Sequence, residues 1–262
     1  MPNFSAAGAA PAPRTASRLG GYCLFLDVDG TLVDFASTPG DVHVDPPLAA
    51  LIAKGSLALG GALALVSGRS IADLDRLFSP QRCPAAGLHG LERRDALGRT
   101  TAPLHGRAQL ATARAMLDAI ASQHPGVLIE DKGASIAVHY RQAPQLAESL
   151  NWMLEQLVRD LGNEFDLQPG ACVVELKLRG PNKADAIQAF LTEPPFAGRV
   201  PVFAGDDLTD IDGFAAVERA GGLSISVGNH VRGRLRFASP AHLRTFLADL
   251  LLATPTATGS GA

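Results

Sequence analysis

Asp27 and Asp29 stand one residue apart at the end of a short apolar run, Tyr22 to Leu26, and Gly30-Thr31 follows them. A run of this kind reads as a buried parallel strand. In open α/β sheets, ligands and chemistry sit at the carboxyl ends of the strands. Two carboxylates there are costly to bury unless a cation pairs them. On an extended backbone, side chains two residues apart lie on the same side. Asp27 is therefore placed to attack phosphorus as a nucleophile, and Asp29 to pass a proton to and from the departing oxygen. A divalent metal would hold the pair and the phosphate together. The competing use of these residues is a calcium-type acidic loop or a solvated turn. Gly30 allows the sharp turn that brings backbone close to a bound group.

Three more stretches carry candidates of the same chemistry. A second apolar run, Ala62 to Val66, ends in Ser67-Gly68-Arg69, where a serine hydroxyl can bond a phosphate oxygen or simply begin a strand-to-helix turn. Arg69 is placed either to reach an anionic ligand or to lie solvated at a helix start. Lys183 opens a helix after Gly180-Pro181-Asn182. A cation there opposes the helix dipole, so an anionic partner is expected nearby. The run Val200 to Ala204 ends in Gly205-Asp206-Asp207-Leu208-Thr209-Asp210. Oxygen ligands, few in number and completed by water and phosphate, suit Mg²⁺. Asp210 can instead act through hydrogen bonds near the next helix, for which Thr209 is the predicted N-cap.

The elements that position these residues alternate strand and helix. The pattern predicts a helix over Leu48 to Leu59, stopped by Gly60-Gly61. Ser70 with Asp73 signals a capping box ahead of Ile71, Leu74, Leu77 and Phe78. Pro84 to Arg94 reads as a short strand and a turn, with His89 as a hydrogen-bonded structural histidine. From about Thr101 the pattern changes. Leu110, Ala113, Leu117 and Ile120 mark a helix. Val127 to Glu130 and Ser135 to Tyr140 mark two strands around Asp131-Lys132-Gly133. Leu146, Leu150, Leu154, Leu157 and Leu161 mark a strongly amphipathic helix. Phe165 to Leu167 and Cys172 to Leu178 mark two strands around a Pro169-Gly170 turn. This α-β-β-α-β-β block can form a small domain of its own, with helices on one face of a four-stranded sheet. Its polar residues include Glu130, Lys132, His139-Tyr140-Arg141, Glu175 and Lys177, with the last two on one strand face. By themselves they read as a charged, solvated face, or alternatively as a surface that hydrogen-bonds sugar hydroxyls. The chain returns to the first pattern with a helix carrying Ala186, Ile187, Phe190 and Leu191. A strand from Leu223 to Val227 and a helix from Leu243 to Leu252 close it.

Composition bounds the remaining classes. The 262 residues are 47% hydrophobic with a net charge of −3. That argues against nucleic-acid or polybasic membrane partners. No uninterrupted apolar stretch approaches the roughly 18 residues of a membrane span. Residues 1–20 are rich in Ala, Pro and Ser without an apolar segment, so they read as a disordered arm rather than a secretory signal. Residues 254–262 read as a disordered tail. The three cysteines (Cys23, Cys83, Cys172) are odd in number and widely spaced. That suits a reducing, cytoplasmic setting.

Taken together, the stretches at Asp27, Ser67, Lys183 and Asp206 resemble, in order, the four motifs of the haloacid dehalogenase (HAD) superfamily of phosphatases and mutases. A finer resemblance, from Tyr22 to Leu251, is to bacterial trehalose-6-phosphate phosphatases. It rests on Gly87-Leu88-His89-Gly90-Leu91-Glu92-Arg93-Arg94, Glu130 with Lys132-Gly133, His139-Tyr140-Arg141-Gln142-Ala143-Pro144, Val174-Glu175-Leu176-Lys177 and Gly205-Asp206-Asp207-Leu208-Thr209-Asp210. The resemblance implies an α/β fold with a HAD-like Rossmannoid parallel-sheet core, formed by residues 21–103 and 181–253. It implies an inserted α/β cap of the C2 type over residues 104–180, with hinges near 101–106 and 178–182. It implies hydrolysis of trehalose 6-phosphate to trehalose and phosphate through an aspartyl-phosphate. Asp27, Asp29, Ser67 and Lys183 would be catalytic. Mg²⁺ would be held by Asp27, the Asp29 carbonyl and Asp206, with Asp207 and Asp210 in support. Gly68, Arg69, Glu130, Lys132, Arg141, Glu175 and Lys177 would bind substrate, which reverses the solvated-face reading. A cytoplasmic monomer is the expected form. Ile211, Ala184 and Leu178 depart from the family pattern, where Glu, Gly and Pro are usual. A sucrose-phosphate phosphatase, a phosphomutase and a non-catalytic sugar-phosphate sensor are the competing readings.

Overall fold

The first strand, β1 (Tyr22–Leu26), is buried at every residue after Tyr22, as a strand covered on both faces must be. The computed structural model describes residues 19–36, 38–102, 107–133 and 135–252. After β1 come α1 (Pro46–Ala58), β2 (Leu63–Val66), α2 (Ile71–Leu77), β3 (Ala85–Gly87), β4 (Glu92–Arg94) and β5 (Thr100–Thr101). The middle of the chain supplies α3 (Arg107–Gln123), β6 (Leu128–Asp131), β7 (Ser135–His139), α4 (Ala147–Leu161), β8 (Phe165–Gly170) and β9 (Val173–Leu178). The last part supplies α5 (Lys183–Leu191), β10 (Val200–Gly205), α6 (Ile211–Arg219), β11 (Leu223–Val227), β12 (Leu235–Phe237) and α7 (Pro240–Leu252).

Among the described residues these strands form two sheets. The larger has the order β12-β11-β10-β1-β2-β3-β4-β5. It is parallel from β12 to β3, and β4 and β5 are antiparallel additions at one edge. From β1 the chain steps outward to β2 and β3. From β10 it steps outward the other way, to β11 and β12. The order therefore reverses between β1 and β10, and the crevice at such a switch point is where open sheets bind ligands.

Local chemistry sets the helix starts. The Asp45 carboxylate accepts the Leu48 N–H at 2.8 Å ahead of Pro46, and the Ser70 hydroxyl accepts the Asp73 N–H. Asn182 and Asp185 form a reciprocal capping box that begins α5 at Lys183. The core between sheet and helices is aromatic. Phe25 stacks on Phe196 at 5.4 Å between ring centroids, and Phe190 of α5 lies 5.0 Å from Phe196. The Arg93 guanidinium sits 5.0 Å over the Phe190 ring and pairs with Glu193.

The smaller sheet has the order β6-β7-β9-β8 and is antiparallel throughout. α3 packs on β6 and β7, and α4 on β8 and β9. Leu110, Leu117, Leu150, Leu154, Ile136, Val138, Val174 and Leu176 make one apolar cluster beneath them. Side chains directly opposite across a ladder share a face. The register therefore puts Glu130, Ala137, Glu175 and Gln168 in one row on the face away from that cluster. Among the described residues no helix is long and apolar enough to cross a membrane.

Several sequence expectations change in detail. β8 runs through Pro169 and Gly170, which pair with Val174 and Val173, so the reversal falls on Ala171 and Cys172 instead. Pro169 keeps its place in the ladder because β8 is an edge strand. Thr209 is not an N-cap: Asp207 and Asp210 make a capping box around a single helical turn before α6. Pro84 to Arg94 holds two strands with a turn between them, not one strand. The arm and tail fall almost wholly on residues 1–18 and 253–262, and part of the expected 101–106 hinge on 103–106. All of these lie outside the described residues.

Replacing Phe190 by Ala removes a fully buried ring that joins α5 to β1 and supports Arg93. Equilibrium unfolding in urea should show a loss of about 3–5 kcal/mol. A loss below about 1 kcal/mol would contradict the packing described.

Candidate active site

The carboxyl ends of β1 and β10 bring together the two acidic stretches that lie far apart in sequence. Asp27, Asp206 and Asp210 each offer a carboxylate oxygen, and these oxygens all lie within 4.8 Å of one another. All three side chains are buried. Like charges this close are held only by cations or by donated hydrogen bonds. Lys183 provides the first: its Nζ is 3.0 Å from Asp27 Oδ1 and 2.6 Å from Asp210 Oδ1. Backbone and hydroxyl donors provide the second. Asp210 Oδ2 accepts the N–H groups of Asp206 and Asp207 at 2.9 and 3.1 Å. The Thr31 hydroxyl lies 3.0 Å from Asp206 Oδ1 and 3.3 Å from Asp27 Oδ2.

Protonation follows from these surroundings. Burial pushes the Asp27 carboxyl well above its ordinary value; Lys183 opposes this, and Asp210, Asp206 and Asp29 add to it. Burial, with Asp210 beside it, pushes Asp206 up to about 7. Burial works against the Lys183 charge, yet Asp210 and Asp27 outweigh it and hold the ammonium above its usual value.

The donor set fits a hard divalent cation. It is made of carboxylate oxygens, and Asp210 is already committed to Lys183 and two backbone N–H groups. Asp27 and Asp206 are left to face the ion. Gly30, at φ +77°, makes room for this: a Cβ there would stand 2.1 Å from Asp206 Oδ2. A side chain of any kind would therefore displace that carboxylate.

Asp29 lies beside Asp27 on the cavity side, held by Arg69 through both oxygens at 2.6 and 2.7 Å. Arg69 was expected to reach an anionic ligand; it engages Asp29 here. Ser67 is buried at the end of β2, and its hydroxyl accepts the Arg69 N–H at 3.1 Å.

The smaller sheet closes over this crevice with its polar face. One cavity of about 240 Å³ is lined by Asp27, Asp29, Ser67, Gly68, Arg69, Lys183, Asp206 and Asp207 from below, and by Glu130, Lys132, Arg141 and Glu175 from above. Lys132 Nζ donates to Glu175 Oε2 at 2.8 Å and to the Gly68 carbonyl at 3.3 Å, so it bridges the two sheets. Burial would raise the Glu175 carboxyl, but Lys132 and His89 hold it well below the usual carboxylate range. Burial likewise works against the Lys132 charge, and Glu175 and Glu130 outweigh it. Glu130 pairs with His139 at 2.9 Å. Arg141 is exposed at the rim and donates to the Ala171 carbonyl at 3.3 Å.

Lys177 shares the face of Glu175, as alternation requires, but sits at the far end opposite Ser135 and Asp166 and does not line this cavity. His89 does line it, 3.7 Å from Glu175. Thr31 was named in the sequence only as the residue after Gly30, with no role assigned, and His89 was read there as a hydrogen-bonded structural histidine; the structure places His89 on the cavity wall.

The high-lying Asp206 has a measurable consequence. Its proton is retained in the folded protein up to about pH 7 and is lost near pH 4 in the unfolded chain. The folded state therefore binds more protons between those limits, and this group's contribution to stability falls as pH rises through them. A divalent cation must displace that proton. Its addition should raise the thermal midpoint more at pH 8 than at pH 5.5. Equal shifts at both values would place cation binding elsewhere.

Known proteins of similar sequence and fold identify the family. The family model for trehalose-phosphatase matches residues 25–241. A probable trehalose-phosphate phosphatase of Sinorhizobium fredii is 48% identical over 80% of this chain and 79% of its own. The trehalose-6-phosphate phosphatase of Escherichia coli is 45% identical over 79% and 77%. The crystal structure of a trehalose-6-phosphate phosphatase related protein superposes with a TM-score of 0.74 at 26% identity, covering 88% of this chain and 97% of that one. A HAD-superfamily phosphatase of Bacteroides thetaiotaomicron, at 16% identity and a TM-score of 0.58, shares the fold. On the strength of the family match and these relatives, the chain belongs to the trehalose-phosphatase family of HAD-fold phosphatases.

Proposed function

We propose that this protein hydrolyses trehalose 6-phosphate to trehalose and phosphate through an aspartyl-phosphate on Asp27. The observation that carries the reading is the closed constellation of Asp27, Lys183, Asp206 and Asp210 beneath a polar sheet face bearing Glu130, Lys132 and Glu175. The core comprises residues 21–103 and 181–253, and the cap residues 104–180. Mg²⁺ is the proposed cation, held by Asp27, Asp206 and the Asp29 carbonyl; when bound it neutralises charge on the phosphate and on the carboxylates.

In the first step an Asp27 oxygen forms a bond to phosphorus while the bond from phosphorus to the sugar O6 breaks. Asp29 gives its proton to O6. Arg69 grips both Asp29 oxygens, so Asp29 must first leave that grip as the anionic substrate enters and take up from solvent the proton that it then gives. Lys183 and the Ser67 hydroxyl steady the phosphoryl oxygens as charge spreads. In the second step water attacks phosphorus, its proton passes to Asp29, and the bond to Asp27 breaks. Lys132, bridging Glu175 and the Gly68 carbonyl, holds the cap against the core and keeps bulk water out. Glu130, Glu175, Lys132 and Arg141 meet the sugar hydroxyls; Lys177, on the same strand face but outside the cavity lining, makes no contact with them. Cys23, Cys83 and Cys172 are unpaired, in keeping with a reducing compartment, and a cytoplasmic monomer is the proposed form.

Phosphate release should be followed on trehalose 6-phosphate, sucrose 6-phosphate, glucose 6-phosphate and an aryl phosphate, with Mg²⁺ and with chelator. Metal-dependent release with strong preference for trehalose 6-phosphate is the expected result. Release from the aryl phosphate alone would remove the substrate assignment and leave the phosphoryl chemistry. Asp27→Asn should reduce turnover by about 10³-fold or more while the unfolding midpoint stays within a few degrees; retained turnover would discard Asp27 as the nucleophile.

A further inference from the structure

The turn Leu88-His89-Gly90-Leu91 is built into the core and yet packs with the cap. Its backbone is fixed from below, where the Leu88 N–H donates to the Arg69 carbonyl at 2.9 Å and the His89 N–H to the Ser67 carbonyl at 3.0 Å. Its Leu88 and Leu91 side chains are buried in the apolar cluster of the smaller sheet and its helices. His89 lies between these two attachments in a left-handed conformation, φ +57°. Its ring rests on Gly68, where a Cβ would come within 2.7 Å of Cε1 and Nε2.

That placement aims His89 Nε2 at the cap carboxylate Glu175. The two are 3.7 Å apart at Oε2, the same oxygen that Lys132 takes at 2.8 Å. The other oxygen, Oε1, is buried and has no hydrogen-bond partner. A carboxylate oxygen buried without a donor is unfavourable, and Glu175 lines the cavity. Lys132 thus bonds one oxygen, and the His89 ring packs beside that oxygen at 3.7 Å, beyond hydrogen-bond length; burial pushes the His89 imidazole below its ordinary value and so toward its neutral form. Among the described residues the second oxygen has no donor and is left for one that arrives with a ligand. One neighbour comes from the cap and one from the core, so Glu175 is held in this way only with the cap seated.

We infer that His89 is a positioning residue: from the core it fixes Glu175 of the seated cap so that Oε1 accepts a hydroxyl of the substrate. The inference rests on the sugar-phosphate reading given above, and it adds that sugar selection depends on a residue outside the cap. A substrate too small to reach Glu175 gains nothing from His89.

The test compares His89→Ala, His89→Gln and Glu175→Gln on trehalose 6-phosphate and on an aryl phosphate. His89→Ala should lose about tenfold or more in kcat/KM on the disaccharide, chiefly through KM, with an aryl phosphate changed about twofold at most. His89→Gln, whose amide can stand where Nε2 stands, should recover most of the loss. Joined to Glu175→Gln, His89→Ala should cost nothing further, because the group it positions is gone. Equal losses on both substrates, losses that add in the double variant, or no loss at all would overturn the inference. If the wild-type protein shows no preference for trehalose 6-phosphate, the substrate reading fails separately. The latch is then judged without substrate, in a Cys172→Ser background, from spin labels at the exposed Met116 of the cap and Leu57 of the core. His89→Ala should broaden their distance distribution, and an unchanged distribution would overturn the inference.

Discussion

Four carboxylates converge on the switch point between β1 and β10, with Lys183 as the cation set among them. Such a cluster would repel itself apart in a plain loop. It persists because every oxygen not aimed at the cavity is bound by a fixed donor: Lys183 and two backbone N–H groups for Asp210, Thr31 for Asp206 and Asp27, Arg69 for Asp29. The fold supplies those donors from separate places. α5 exists to bring Lys183 in at its first residue, against the helix dipole, and the Asn182–Asp185 capping box fixes where that residue falls. Asp27 and Asp206 keep lighter ties, to Lys183 and to the Thr31 hydroxyl, and both line the cavity. Burial, and then the neighbouring carboxylates, push both carboxyls above their ordinary values, and a cation placed between them would oppose that shift.

The cap solves a different problem with a simpler device. Strand alternation separates its residues into an apolar face for α3 and α4 and a polar face for the crevice. Glu130, Glu175 and Gln168 form one cross-strand row because they occupy matching ladder positions, not because they are near in sequence. A row of acids beside the acidic core would repel the cap from it. Lys132 reverses the sign locally: it pairs with Glu175 and donates to the Gly68 carbonyl, so the closed arrangement is itself a set of satisfied polar groups.

The strand ends, the order of the elements and the acidic and basic residues of the core were legible in the sequence. They sit on long apolar runs whose boundaries Gly, Ser and Asp mark. Ser70 and Asp73 could be read as a cap because the partners are three residues apart. The misses have the opposite character. β12 is short and mostly exposed, and β5 has two residues, so neither carries an apolar period to detect. The helix start after Asp207 was assigned to Thr209 because either side chain can cap a turn; the choice is made by Asp210 reaching back to the N–H groups of Asp206 and Asp207. The placement of Arg69 on Asp29, the absence of Lys177 from the cavity and the role of His89 all depend on how the smaller sheet sits over the larger. No local pattern encodes that.

The two ends of the site therefore divide the work of recognition. In the proposed reaction the core end would recognise charge: Lys183, Ser67 and a cation would serve any phosphate monoester alike, and would contribute most when charge moves during the reaction. The cap end would recognise hydroxyl groups, and there discrimination would come from what a wrong ligand leaves unpaired. Glu175 is buried, Lys132 and His89 hold its carboxyl well below the usual range against the effect of burial, and among the described residues its Oε1 has no donor. A ligand that brings a hydroxyl to Oε1 removes that deficit, and one that fills the space without a donor there keeps it. Because Lys132 bonds the other oxygen and reaches the Gly68 carbonyl, while the His89 ring packs against Glu175 from the core, this arrangement belongs to the seated cap. On this proposal sugar identity would be read as the cap seats, and the free energy of that reading would be available to hold Asp27 and Asp29 around the phosphate.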